Sequence, residues 1–323
     1  LLILTESSMR AAAGMADIIA AAETAYELYD REQFHMDART QIAHEENTLL
    51  LMPCQASELF GTKIVSVFPA NHQRSLPAVQ GLMVLIDAHT GTPKALLNGT
   101  YLTALRTGAL GGLAARHLAP AGASSAGLIG TGAQGFYQLL AICLERNIQN
   151  IYLYNRTPEK AIAFAGNLQS HLPSHIRIHI EHHPNEVISQ SDILVTATTS
   201  SIPVLLDEPD LYNGKLMIAV GSFQPQMREL PEQLFKQANH LFIDTLDAIE
   251  ESGDVADPLK NGWLSPSQVI PFSSLIAGKM RPQLSEKHPM IFKSVGMALF
   301  DVIAARAIYE KAVQQQIGLE IEL

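Results

Sequence analysis

Apolar residues recur at three- and four-residue steps between positions 10 and 31, at Met15, Ile18, Ile19, Ala22, Tyr26 and Tyr29, and this spacing predicts a helix. Further on the pattern shortens. Apolar runs at 63–68, closed by Pro69, and at 82–87 predict strands, and the turn His89-Thr90-Gly91-Thr92-Pro93 leads the second into a hairpin partner at 94–97. A mixed, antiparallel first region follows. Residues 102–117, rich in Ala and Leu, predict a long helix, and Pro120-Ala121-Gly122-Ala123-Ser124-Ser125 behind it reads as a linker between domains.

From Ala126 the pattern alternates: strand 126–129, helix 134–146, strand 151–154, helix 158–168, then strands 176–180 and 193–197. Short apolar runs at 216–220 and 241–244 continue the series, and the last periodic segment, 294–315, predicts a helix. Strands alternating with helices imply a parallel sheet covered on both faces. The expected class is therefore α/β: a Rossmann-type doubly wound parallel sheet beside an α+β domain. The chain has 323 residues, 47% of them hydrophobic, enough for two cores.

Charge and cysteines narrow the partners. The formal net charge is −10, and no stretch gathers Lys and Arg into a patch able to neutralise a run of phosphates, which argues against nucleic acid. Cys54 and Cys143 are the only cysteines, too few for a disulfide framework or a cysteine-built metal site, and they fit a reducing compartment. The opening Leu1-Leu2-Ile3-Leu4 is too short for a signal-peptide core, and no apolar run approaches a membrane span. A cytoplasmic protein is expected, and a start without Met leaves room for a few leading residues. His171, His175, His179, His182 and His183 resemble a metal cluster. Pro173 interrupts any helix there, however, and Ile176, Ile178 and Ile180 alternate with Arg177, His179 and Glu181 as in a half-buried strand, so no metal is expected. Met290 and Met297 read as core.

Gly130-Thr131-Gly132-Ala133-Gln134-Gly135 directly follows an apolar strand and opens a helix. In that setting the glycines permit a tight turn and let backbone N–H groups approach a pyrophosphate at the positive helix end. Near the end of the next strand stands Asn155-Arg156-Thr157. An acidic residue there would grip a ribose 2′-hydroxyl, whereas the Arg156 fork matches a 2′-phosphate, so NADP(H) is favoured over NAD(H). Thr196-Ala197-Thr198-Thr199-Ser200 follows another strand, where its hydroxyls either line the cofactor or satisfy turn hydrogen bonds. Three cations, Arg39, Lys63 and Arg106, are candidates for a substrate carboxylate. Lys63 heads an apolar strand and Arg106 lies in an otherwise apolar helix, yet pattern alone leaves surface salt bridges equally open.

These residues belong to ordered blocks along almost the whole chain: Gly61-Thr62-Lys63 leading to Phe68-Pro69-x-Asn71, Asp87-x-x-Thr90-Gly91, Leu102-Thr103-Ala104-x-Arg106-Thr107, Gly130-x-Gly132-x-Gln134, Asn155-Arg156-Thr157, Val195-Thr196-Ala197-Thr198, Val220-Gly221, Arg228-Glu229-Leu230, Glu251-Ser252-Gly253-Asp254 and Phe292-Lys293-Ser294-x-Gly296-x-Ala298. In them the chain resembles the ornithine cyclodeaminase/mu-crystallin family. The resemblance implies a homodimer in which residues 1–118 with 295–323 form the substrate-binding and dimerisation domain and residues 119–294 the Rossmann domain. It further implies that Arg39, Lys63 and Arg106 bind the substrate carboxylate, with Lys63 and Arg106 catalytic and Met52 walling the pocket. Thr107, Gly130, Gly132, Ala133, Gln134, Asn155, Arg156, Thr157, Thr196, Ala197, Thr198, Val220, Gly221, Ser294 and Gly296 would serve the cofactor. Glu251-Ser252-Gly253-Asp254 is given no chemistry.

Two departures separate members of the family. Where cyclodeaminases and related alanine dehydrogenases carry an Asp after Val220-Gly221, this chain has Ser222-Phe223, and where cyclodeaminases place a Glu two positions before Met52 stands Leu50. Both point away from chemistry at an amine and toward the Δ1-pyrroline-2-carboxylate reductases of the family, with Phe223 packing on the substrate ring. Gly135-Phe136-Tyr137-Gln138 differs from many members without an evident consequence. The expected activity is NAD(P)H-dependent reduction of a cyclic ketimine acid to L-proline or L-pipecolate. Ornithine cyclodeamination, amino-acid dehydrogenation and non-enzymatic binding of a small ligand are the competing readings.

Overall fold

The chain divides into two units, Leu1–Arg106 with Met297–Leu323, and Thr107–Gly296. A computed structural model describes residues 1–74 and 76–322; Ser75 and Leu323, both inside the expected first domain, lie outside the described residues.

The first unit is built on one sheet, in the order Leu319–Glu320, Leu2–Leu4, Pro93–Asn98, Val79–Asp87, Leu59–Val67, Asn47–Ala56 and Phe34–His35, with Thr40–His44 also paired to Asn47–Ala56. All pairs are antiparallel except Leu2–Leu4 with Pro93–Asn98. The period of two decides which face is core: Met52, Cys54 and Ala56, Leu59 and Val65, and Met83 and Leu85 are buried, while the alternate Phe60 and Leu82 are exposed. Helix Ala298–Gln314 packs on the strands Asn47–Ala56, Leu59–Val67 and Val79–Asp87, and helix Met15–Asp30 packs on that helix.

Two expectations for this unit shift. The helix expected over 10–31 is broken into Glu6–Ala12 and Met15–Asp30, because Gly14 interrupts it and Asp17 Oδ2 accepts from the Gly14 N–H to open the second piece. The helix expected over 294–315 begins only at Ala298. Residues 294–296 are instead wrapped around the Asp244 carboxylate, which accepts from Ser294 Oγ and the Val295 and Gly296 N–H groups, with Gly296 at φ 78°.

The second unit holds eight parallel strands, in the order Arg177–Ile180, Asn150–Tyr154, Ser125–Ile129, Ile193–Thr196, Leu216–Ala219, Met290–Lys293, Leu241–Ile243 and Val269–Pro271. The chain starts in the middle at Ser125–Ile129 and winds out both ways, so the strand order reverses between Ser125–Ile129 and Ile193–Thr196. Ligands bind at the carboxyl ends of strands at such a reversal. Met290 and Met297 are buried, as read from the sequence.

The division between the units falls inside helix Gly99–Leu118, between Arg106 and Thr107, and not at the 118/119 linker. Its second half is tailored to the second unit. A Cβ added at Gly108 would meet Tyr137 at 2.5 Å, and one at Gly112 would meet Ala141 at 2.7 Å, so helix Ala133–Glu145 sits where only glycine leaves room. Gln138 fits the same seam, against Gly111, and its Nε2 donates to the Thr107 carbonyl at 2.7 Å, which gives the Gly135-Phe136-Tyr137-Gln138 departure a packing role. Among the described residues no helix is long and apolar enough to cross a membrane.

Candidate functional site

Lys63 stands on the buried face of strand Leu59–Val67, flanked across the sheet by Met52 on one side and Met83 on the other. Only 2% of its side chain is exposed, and an isolated ammonium could not be held there at neutral pH. Its partner is Asp301 of helix Ala298–Gln314, with Nζ donating to Oδ2 at 2.7 Å. Asp301 Oδ1 accepts at the same time from Arg106 Nε at 3.0 Å. Two buried cations thus share one buried carboxylate, and Arg106 Nη1 is buried without a hydrogen-bond partner among the described residues. Burial pulls the Lys63 ammonium down to about 8; Asp301 opposes that fall, and Arg106 and Arg39 add to it. The Cys54 thiol beside them is pushed up to about 12, by burial first and by Asp301 second, so it stays a neutral core thiol.

The structure therefore brings together Lys63, Arg106 and Met52, with Arg39, half-buried just before strand Thr40–His44, close enough to act on Lys63. Phe223 lies in the other unit, on the turn after strand Leu216–Ala219, and is 44% exposed. Leu50 shares the face of Met52, two residues along the strand. Asp301 was not read from the sequence, although a lone Asp in the apolar run from Ala298 to Ala305 was a usable signal.

In the second unit a cleft of about 620 Å³ opens at the strand-order reversal, lined by residues 129–132, 154–157, Lys160 and 197–200 among others. Gly130 adopts φ 95°, and a Cβ there would strike the Ala197 carbonyl at 2.7 Å; at Gly132 an added Cβ would meet nothing within 4 Å. The first glycine makes the turn, and the second leaves open space at the start of helix Ala133–Glu145, which has no side-chain cap. Thr131 Oγ1 and Gln134 Oε1 are buried without partners among the described residues. A helix N-terminus, open backbone and two orphaned polar atoms fit a pyrophosphate-bearing ligand. Asn155 Oδ1 accepts from the Thr131 N–H at 3.3 Å, tying the glycine turn to the next strand, while Arg156 and Lys160 put two cations on the cleft wall.

The remaining cofactor candidates fall into two groups. Ala197 and Thr198 line the cleft. Thr196, by contrast, is 1% exposed and its hydroxyl donates to Glu229 Oε2 at 3.0 Å, so it holds the turn from behind. Gly221 donates its N–H to the same oxygen at 2.8 Å, and Ser294 and Gly296 are fixed by Asp244 as described. The histidine-rich stretch places His179 in strand Arg177–Ile180, stacked on Tyr152. Among the described residues no group of three or more His, Cys, Asp or Glu side chains could hold a metal ion.

The family model described as ornithine cyclodeaminase/mu-crystallin family matches residues 2–316. The chain belongs to this family. A Δ1-pyrroline-2-carboxylate reductase of Bacillus cereus is 38% identical over 328 residues, covering 100% of both chains. The solved Δ1-pyrroline-2-carboxylate reductase of Thermococcus litoralis, in complex with NADH and L-proline, is 32% identical with a TM-score of 0.93, over 99% of this chain and 100% of that one. An archaeal alanine dehydrogenase dimer with bound NAD is 30% identical with a TM-score of 0.91, over 100% and 99%. Members of the ornithine cyclodeaminase/mu-crystallin family thus carry several activities on the fold seen here, and the choice among them rests on side chains.

Proposed function

We propose that the chain is a nicotinamide-dependent ketimine reductase that converts Δ1-pyrroline-2-carboxylate to L-proline and accepts Δ1-piperideine-2-carboxylate to give L-pipecolate. The observation that carries this reading is the Lys63–Asp301–Arg106 cluster, where two buried cations meet one buried carboxylate and Arg106 Nη1 is left unpartnered. A small carboxylate would neutralise the surplus charge and take that N–H. Arg39 is the third cation for the same group.

The nicotinamide, when bound, supplies the hydride for C2 of the imine. The chain's own residues bind and orient. The ring nitrogen needs one proton, and an imine that binds protonated carries it already, so no Asp after Gly221 is required. Lys63, held as an ammonium by Asp301, keeps positive charge beside the carboxylate. Phe223 and Leu50, apolar where cyclodeaminases carry acids, suit a ring without a distal amine. For the cofactor, Arg156 and Lys160 on the cleft wall favour a 2′-phosphate and hence NADP(H), with NAD(H) as the weaker substrate. Exposed Phe60 and Leu82 on the outer sheet face are the expected contact of a homodimer.

Loss of NADPH absorbance with Δ1-pyrroline-2-carboxylate tests the reading. Turnover is expected; ammonia release from ornithine would make the chain a cyclodeaminase, NADH-dependent amination of pyruvate an alanine dehydrogenase, and no turnover a binder. Lys63→Ala should lower kcat/KM by about a hundredfold or more, the loss of one buried charge-assisted contact and its orientation.

A further inference from the structure

The sequence blocks Arg228-Glu229-Leu230 and Glu251-Ser252-Gly253-Asp254 find no place in the chemistry above, yet they converge in the core of the second unit. Glu229 is 0% exposed and its two carboxylate oxygens accept four hydrogen bonds. Oε1 accepts from the Thr198 N–H at 2.7 Å and Thr198 Oγ1 at 2.8 Å; Oε2 accepts from Thr196 Oγ1 at 3.0 Å and the Gly221 N–H at 2.8 Å. Its donors sit at the carboxyl ends of two neighbouring strands, Thr196 closing strand Ile193–Thr196 with Thr198 on the turn behind it, and Gly221 following Leu216–Ala219. Nothing short of a carboxylate supplies so many acceptor positions at one point.

Behind Glu229 lies a second buried acid. Asp254 Oδ1 accepts from the Glu229 and Leu230 N–H groups at 2.9 and 3.0 Å, and Lys293 Nζ stands 3.8 Å from Asp254 Oδ2 while donating to the Ala219 carbonyl at 3.3 Å. Ser222 Oγ and Ser252 Oγ close the cluster at 2.7 Å. Burial works against charge on both acids, Asp254 adds to this at Glu229, and Lys293 offsets it at each. So costly an arrangement is a poor device for stability alone, since apolar packing does that better.

Its geometry reaches the cleft. A Cβ on Gly221 would lie 2.1 Å from the Thr198 carbonyl and 2.5 Å from Glu229 Oε1, so the two turns are drawn together until only glycine fits. The Thr198 turn in turn abuts the glycine-rich turn, where a Cβ on Gly130 would meet Ala197 O at 2.7 Å and Thr198 Cγ2 at 2.9 Å. We propose that Glu229, backed by Asp254 and Lys293, is a positioning residue for the dinucleotide site: its carboxylate ties the turn at 196–198 to Gly221 and so sets the wall against which the cofactor binds. This rests on reading the second unit as the nicotinamide dinucleotide domain.

Glu229→Gln in the full chain is the test, because the amide keeps the volume but turns one acceptor oxygen into a donor that faces a backbone N–H. NADPH affinity is read by nicotinamide fluorescence on binding, alongside circular dichroism and separate KM values for NADPH and the imine. The expected result is a folded protein whose NADPH Kd and KM rise about tenfold while the imine KM stays within about twofold. A folded variant with unchanged NADPH Kd, or one that loses only kcat, overturns the proposal and leaves Glu229 as core. Should Glu229→Gln not fold, Thr196→Val removes a single donor from behind the turn; a rise in NADPH Kd of about threefold supports the proposal and an unchanged Kd overturns it. Wild-type protein that binds no nicotinamide dinucleotide overturns the underlying reading instead, and is recognised before any variant is made.

Discussion

Gly61 lies against Val302: a Cβ built on Gly61 would come 2.7 Å from Val302 Cγ2, and as close to Met83 Cε. Val302 is the neighbour of Asp301, so the glycine lets helix Ala298–Gln314 approach the sheet until Asp301 reaches Lys63, two residues along the strand. Met83 can swing its terminal methyl away, but the β-branched Val302 cannot. Gly61→Ala should therefore lift the helix locally, destabilise the protein by about 1–3 kcal/mol, and raise the imine KM while leaving the NADPH KM unchanged. Denaturant unfolding and the two KM values measured on one preparation check this; equal rises in both would show a general loss of structure.

Asp301 should control the pH range of activity through Lys63. With the ammonium at about 8, kcat/KM for the imine is expected to fall on the basic side near that pH as the positive charge is lost. Asp301 is the group holding the proton, so Asp301→Asn should move this limb to lower pH with the same substrate, which removes the imine's own titration from the comparison. Stability runs the other way. The folded value lies below the ordinary 10.5, so between about pH 8 and 10.5 the unfolded chain binds more protons and the Lys63 contribution to stability increases as pH rises. Activity falling while the unfolding midpoint holds or rises over that window is the expected pairing, and parallel losses would assign the limb to unfolding.

How far each of these features was legible depends on how far apart its parts lie in the chain. The glycine-rich turn could be read because strand, turn and helix are contiguous from Ser125 to Glu145, and its neighbours Asn155 and Arg156 follow within one βαβ step. Lys63 and Arg106 stood out as charges in apolar elements, but what keeps them there is Asp301, 238 and 195 positions away, on a helix that periodicity predicts without saying which strand it covers. Glu229 reaches Thr198 across 31 residues and Asp254 reaches Glu229 across 25, so their blocks were visible as resemblance and mute as chemistry. The strand Asn47–Ala56 was missed because Pro53 and its half-buried pattern hide the period of two. The division into units differs from the expected boundary for a similar reason: Pro120 follows the end of helix Gly99–Leu118, whereas the division at Arg106 and Thr107 depends on what each half of a continuous helix packs against.

The outer face of the first unit's sheet should be the subunit contact. Phe60 and Leu82 are 48% and 40% exposed on the face opposite the core, and a partner subunit laid on this face would cover both. Leu82→Lys puts a charge there without touching the buried face, where its neighbours Met83 and Leu85 lie. Sedimentation should show a dimer for the wild type and a shift to monomer for the variant, with the far-ultraviolet spectrum unchanged. A variant that remains dimeric would place the contact elsewhere.

Arg156 should decide which dinucleotide is used. It sits on the wall of the cleft beside Asn155 and Thr157, with Lys160 one helical turn on, and no acidic residue stands among positions 155–157 to hold a 2′-hydroxyl. Both cations are solvent-facing, so each contributes modestly alone, about 1 kcal/mol or somewhat more for a charge-assisted hydrogen bond to phosphate. Arg156→Glu both removes the fork and adds repulsion, and it should raise the NADPH KM by about a hundredfold while the NADH KM falls or holds. Lys160→Ala should cost NADPH a smaller factor, about threefold to tenfold, and leave NADH unaffected, because only the phosphate distinguishes the two cofactors. The wild-type ratio of kcat/KM for NADPH over NADH is the control: if it already favours NADH, neither substitution can produce the expected reversal, and Arg156 is a solvated residue beside the helix that opens at Pro158.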